Sequence, residues 1–120
     1  MPKYKVPKTI QDVVKRAVDQ NLSRPLSQRA SYKDEGNKRV AGTGMRTAQR
    51  LLSGSVDEQQ LILMRAWFAR HGASEMEKKK RKDKTSKASI AFRLWGGSSA
   101  ISWINSTLRE IEREKKKKSK

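Results

Sequence analysis

The sequence contains no cysteine. That absence excludes a disulfide framework and any thiolate metal site, while a reducing compartment is allowed but not required. Histidine occurs once, at His71, so a metal there would need ligands that no nearby spacing supplies. No stretch approaches the roughly 20 apolar residues of a membrane span. The start, Met1-Pro2-Lys3-Tyr4-Lys5, lacks a signal-peptide apolar stretch. These absences predict a soluble protein with no membrane partner. Acids are scarce too, 12 Asp and Glu against 29 Lys and Arg, and hydrophobic residues make up only 34%. A chain of 120 residues with that composition builds one domain around a small core.

What is present is positive charge, +17 in total. An excess this large repels itself, so a polyanionic partner stabilises the chain. Nucleic acid is the first candidate, because a dense line of phosphates rewards clustered Lys and Arg by counterion release. The distribution is uneven. Residues 1–54 hold 12 basic and 4 acidic side chains, residues 55–77 hold 2 and 4, and residues 78–120 hold 15 and 4. The near-neutral middle is also the most apolar part, which predicts a core segment flanked by basic surfaces. Lys78, Lys79, Lys80, Arg81, Lys82, Lys84 and Lys87 form the densest run, and Lys115, Lys116, Lys117 and Lys118 a second near the end. Both groups are the expected phosphate contacts. The first lacks the interleaved aromatic or leucine anchors that amphipathic membrane helices use. Its rival reading is a solvated linker, or a nuclear-localisation-like sequence in a eukaryotic host.

The periodicity is helical nearly throughout, with no strand-like alternation of any length. Ile10, Val13, Val14, Ala17 and Val18 make a stripe, with Pro7 at its entry and Thr9 able to cap. Residues 22–44 are hard to read; Gly36-Asn37 and Gly42-Thr43-Gly44 look like turns. The latter is also conceivable as a phosphate cradle, although a lone glycine pair is usually a turn. A short helix follows from Met45 to Leu52. Ser55-Val56-Asp57-Glu58 spells a capping box opening a helix to His71, apolar enough to predict surroundings on most sides. Residues 73–87 read as a basic connection with nothing apolar to hold them down. Ser86 caps a helix carrying Ile90, Ala91, Leu94 and Trp95, Gly96-Gly97 interrupts it, and the last helix carries Ile101, Ile104, Leu108 and Ile111. Its lysine-rich tail should fray.

Individual residues read blandly. His71 at a helix C-terminus interacts with the end of the dipole. Asp57 and Glu58 are acids at a helix start. Trp67, Phe68, Trp95 and Trp103 pack in the core by their spacing; base stacking is the rival. Arg65 and Arg70 reach phosphate, or pair with Asp57, Glu58 or a carbonyl. Residues 45–54 and 56–71 look like helix-turn-helix, but the second helix is too apolar to read a groove.

One further pattern emerges from Ala48-Gln49-Arg50-Leu51-Leu52-Ser53-Gly54, Met64-Arg65-Ala66-Trp67-Phe68-Ala69-Arg70-His71, Ser86, Ile90-Ala91-Phe92-Arg93-Leu94-Trp95-Gly96-Gly97 and Trp103. Together these resemble a small uncharacterised helical module of tailed-bacteriophage and prophage proteins, over residues 46–105. The acid that follows the double glycine in that module is Ser98 here, and the proline before the serine is Thr85. The resemblance implies a viral origin, beside capsid, portal or protease segments, and no established activity.

The expectation is thus an all-α protein, a compact bundle of four to five short helices with basic, flexible termini. It comprises an arm at 1–8, a helical domain at 9–112 and a tail at 113–120. It is expected to bind nucleic acid, DNA in the first place, without sequence preference, catalysis, metal, cofactor or small-molecule substrate. It would act in genome packaging or the virion, inside the host cell or the particle. The alternative is a virion adaptor whose basic surface docks an acidic protein.

Overall fold

Apolar residues three and four apart set the architecture. The structure is a computed structural model and describes residues 2–36, 38–72 and 75–118. The order is β1 (Tyr4–Lys5), α1 (Lys8–Leu22), a 3₁₀ turn (Leu26–Gln28), β2 (Tyr32–Glu35), β3 (Lys38–Ala41), α2 (Thr43–Leu52), β4 (Ser55–Val56), α3 (Glu58–His71), α4 (Glu75–Arg81), α5 (Lys87–Leu94) and α6 (Gly97–Lys118). The protein is therefore mostly helical but not purely so. The α1 stripe of Ile10, Val14 and Ala17 is buried, and α1 packs against α2, α5 and α6. Helix α6 buries Ala100, Ile104, Leu108 and Ile111 and lies against α3. Among the described residues no helix is long and apolar enough to cross a membrane.

Six expectations need correction. Strands exist: β2 and β3 form an antiparallel hairpin with Tyr32 facing Ala41 and Glu35 facing Lys38, and β1 pairs with β4. The hairpin escaped a search for apolar alternation because its first strand is exposed along most of its length. Gly36, in the left-handed region at φ 64°, follows β2 at the expected turn. The N-terminal residues are docked, since Tyr4 pairs with Val56 and Val6 is fully buried. Because Ser55 and Val56 are in a strand, the cap of α3 falls to Asp57, whose carboxylate accepts from Gln60 N at 2.8 Å. Pro7, not Thr9, precedes α1. Helix α3 buries one stripe, Gln60, Leu61, Met64 and Phe68, and leaves Ile62 and Leu63 exposed. Finally, α6 stays helical to Lys118, where fraying was expected.

The hard-to-read stretch is fixed by one side chain. Asn21 is fully buried at the end of α1; its amide donates to Ala30 O at 3.0 Å and accepts from Ala30 N at 2.8 Å. These bonds satisfy both backbone groups of a buried residue and hold the entry to the hairpin. Replacing Asn21 by Ala orphans both groups, so it should lower stability by about 2–4 kcal/mol. Chemical denaturation checks this; a loss under about 0.5 kcal/mol, the level of neutral surface changes, would show that the bonds are not needed.

Candidate nucleic-acid interface

The expected basic run divides between faces. Lys80 and Arg81 at the end of α4 and Lys87 at the start of α5 line one cleft of about 520 Å³. Arg29, Tyr32, Trp67, His71 and Phe92 complete its charged and aromatic walls, and among the described residues no acid lines it. Lys78, one turn earlier on α4, instead borders a groove with Arg65, Phe68 and Ile101. Lys79, Lys82 and Lys84 are exposed.

Contrary to expectation, α4 is held down, by Arg81 rather than by an apolar residue. Its guanidinium donates to His71 O at 3.1 Å and Gly72 O at 3.2 Å, closing the C-terminal end of α3. It also lies 4.2 Å from the Phe92 ring centroid, a cation–π contact. The turn from α4 to α5 is equally built. Thr85 donates to the Asp83 carboxylate through its hydroxyl at 2.6 Å and its backbone N–H at 2.9 Å. Ser86 caps α5 as expected, accepting from Ser89 N at 3.1 Å, while its hydroxyl reaches the carbonyls of Lys80 at 2.8 Å and Asp83 at 2.7 Å. This turn sets the spacing of Lys80 and Lys87.

Further cations gather behind it. Arg93 donates to Lys84 O at 2.7 Å, Arg24 donates to Thr85 O, and Lys87 Nζ donates to Ser27 O at 3.3 Å. Burial, and then the positive field of Arg24, lower the Arg93 pKa. Like charges are thus crowded here, an arrangement that an anion relieves. Arg29 is fixed by donation to Arg24 O and Leu22 O, both at 3.0 Å.

The second lysine group does not join the cleft. Lys115 pairs with Glu58 at 2.7 Å, at the N-terminal end of α3, whereas the cleft lies at the C-terminal end. A helix of 14 residues puts these ends about 20 Å apart. The hydrogen bond from Glu58 raises the Lys115 pKa, but this exposed pair is screened by solvent. Lys117 lies 4.0 Å from Glu114, and Lys116 and Lys118 are exposed on the same helix end.

The aromatic residues are largely packed. Trp67 and Trp95 stack with centroids 4.7 Å apart and planes 10° apart, and the His71 ring lies 4.8 Å from Trp67. Trp95 is buried, Trp67 half-buried. Trp103 is half-buried on α6. Arg65 and Arg70 are exposed, and among the described residues neither pairs with Asp57 or Glu58. No group of acids or histidines there could hold a metal ion. Sequence reasoning missed Arg29 and Tyr32, which lie in the segment without periodicity. It saw Trp67 and His71 separately, although their four-residue spacing puts them on one helix face.

No family model matches the chain, nor does any curated protein or solved structure.

The turn yields a pH prediction. The two Thr85 bonds, the hydroxyl's foremost, hold the Asp83 carboxyl below the usual range. A lowered folded-state value contributes stability that is present above the unfolded pKa of about 3.9 and is lost as pH falls through the folded value. The Thr85 amide resonance should therefore titrate with a midpoint below about 3.9. A midpoint at or above that value would contradict the geometry of the turn.

Proposed function

We propose that this protein binds nucleic acid through the phosphate backbone, without sequence preference and without catalysis. The observation carrying this reading is the cleft that gathers Arg29, Lys80, Arg81 and Lys87 with no acid on its walls among the described residues. Phosphates add counter-charge where Arg24 and Arg93 crowd together with Asp83 as a nearby acid. Backbone contact is favoured over base stacking because the rings already have partners: Trp67 has Trp95, Phe92 has Arg81, and Tyr32 has Arg29 at 5.3 Å. A groove-reading helix is disfavoured, since α3 exposes Ile62 and Leu63 beside its arginines. DNA is the partner proposed first. The viral setting, in genome packaging or the virion, rests on the resemblance of residues 46–105 to the phage module. The residues at 115–118 form a separate, subsidiary patch.

The test is a salt titration of binding to random duplex DNA. Replacing exposed Lys80, Lys84 and Lys87 by Gln removes three phosphate contacts and should reduce the slope of log K against log salt by about 2–3. The melting temperature should hold, because these side chains are exposed. Replacing Lys116, Lys117 and Lys118 should change the slope less. A larger change from the second set would place the interface on α6 and overturn the reading.

A further inference from the structure

Ser31, Trp67 and His71 are shared between the cleft and a niche of about 380 Å³ between α2 and α3. Its end is the start of α2. The preceding residue is Gly42, so no side chain caps the first turn, and the first amides of a helix have no acceptor within it. Gly42, Gly44 and Met45 are buried at this end, while Thr43 is exposed. Three side-chain donors meet it. Thr47 lies one turn further along the same face, only 2% exposed, and its hydroxyl has no hydrogen-bond partner among the described residues. Trp95 is 4% exposed, and its indole N–H is equally without an acceptor there. That nitrogen lies 3.3 Å from where a Cβ on Gly44 would stand, and the Ser31 hydroxyl is 2.0 Å from the same point. Glycine at 44 is therefore required, because any side chain would collide with Ser31. Ser31 is itself held in the left-handed region at φ 56°, with its carbonyl accepting from Gly42 N at 2.6 Å.

Buried polar groups without partners are rare and destabilising, and here two of them converge on the positive end of a helix dipole. Ser31, Thr47 and Trp95 each bring a donor to the niche, Arg50 and Gln60 line it while bonded to each other at 2.6 Å, and among the described residues no carboxylate lines it. Arg70 and His71 stand on its α3 side. We propose that the start of α2 is a phosphate subsite that takes a phosphomonoester. A carboxylate offers two oxygens to these donors; a phosphomonoester offers three, with a second negative charge. The Gly42-Thr43-Gly44 sequence then borders the subsite, its two glycines making room for Ser31. The ligand is the terminal phosphate of a strand lying in the cleft, or that of a free nucleotide. Only the first source rests on the nucleic-acid reading.

The test uses the full chain at fixed ionic strength with three probes: inorganic phosphate, a short random oligonucleotide with a 5′-phosphate, and the same oligonucleotide with a 5′-hydroxyl. Inorganic phosphate should raise the melting temperature, and the phosphorylated strand should bind at least about tenfold more tightly than the hydroxyl strand. Thr47→Val removes one donor while keeping the shape. It should melt no lower than the parent, yet lose both responses with the hydroxyl-strand affinity unchanged. Trp95→Phe keeps a ring but deletes the N–H; it should melt lower because the stack on Trp67 is reduced, yet under conditions where it is folded it should likewise lose the preference for the phosphorylated strand. Equal binding of the two strands without a phosphate effect on melting overturns the subsite and leaves backbone binding standing. Responses that persist in both variants also overturn it. Phosphate-dependent melting that is lost in Thr47→Val, with no binding of either strand, supports the subsite with a free nucleotide as its source and overturns the nucleic-acid reading instead.

Discussion

The Trp67–Trp95 stack is the contact on which the rest of the arrangement depends. It joins the C-terminal half of α3 to the end of α5 through nearly parallel rings 4.7 Å apart. Because Trp95 is buried against Gly44, the same contact fixes α2 against both helices. Gly96 and Gly97 then turn the chain immediately after the indole, with φ of 110° and 71°, into the long helix that covers the other side of α3. Side chains larger than hydrogen rarely adopt these angles, so the double glycine and the tryptophan before it act as one unit. The cleft is a consequence: its Trp67 and His71 wall stands where the stack and the end of α3 place it.

Around this centre the protein holds cations close together by attaching them to backbone carbonyls rather than to acids. Arg29, Arg81 and Arg93 each donate to carbonyl oxygens of neighbouring turns, and Lys87 does so at longer range. A carbonyl positions a guanidinium without neutralising it, whereas a carboxylate would do both. Three ion pairs between described residues, Lys15–Asp19, Lys115–Glu58 and Lys117–Glu114, lie away from the cleft walls. The proposed function follows from this separation. A surface whose guanidinium groups are fixed by carbonyl oxygens suits a polyanion of regular spacing.

Much of the helical frame was legible, because Ile10, Val14 and Ala17 or Ile104, Leu108 and Ile111 repeat at the helical period and are buried as that period requires. The Ser86 cap and the double glycine were legible for the same local reason. What escaped was determined by contacts distant in sequence. Asn21 gives no sign that it will bond Ala30. The hairpin is polar on exposed positions, and Val56 enters a strand because Tyr4 arrives beside it. The basic run announced charge but not direction. Adjacent lysines on α4 point around the helix, so Lys78 and Lys80 reach different grooves. Arg81, counted among phosphate contacts, also turned out to tie α4 to α3.

The central claim is that the cleft between the hairpin, α3, α4 and α5 receives the phosphate backbone. Amide and side-chain NMR during titration with a random oligonucleotide tests it most directly. The account predicts that the resonances of Arg29, Ser31, Lys80 and Lys87 move together and saturate with one affinity. Shifts confined to residues 115–118 and the neighbouring surface of α6, with the cleft resonances unmoved, would contradict it.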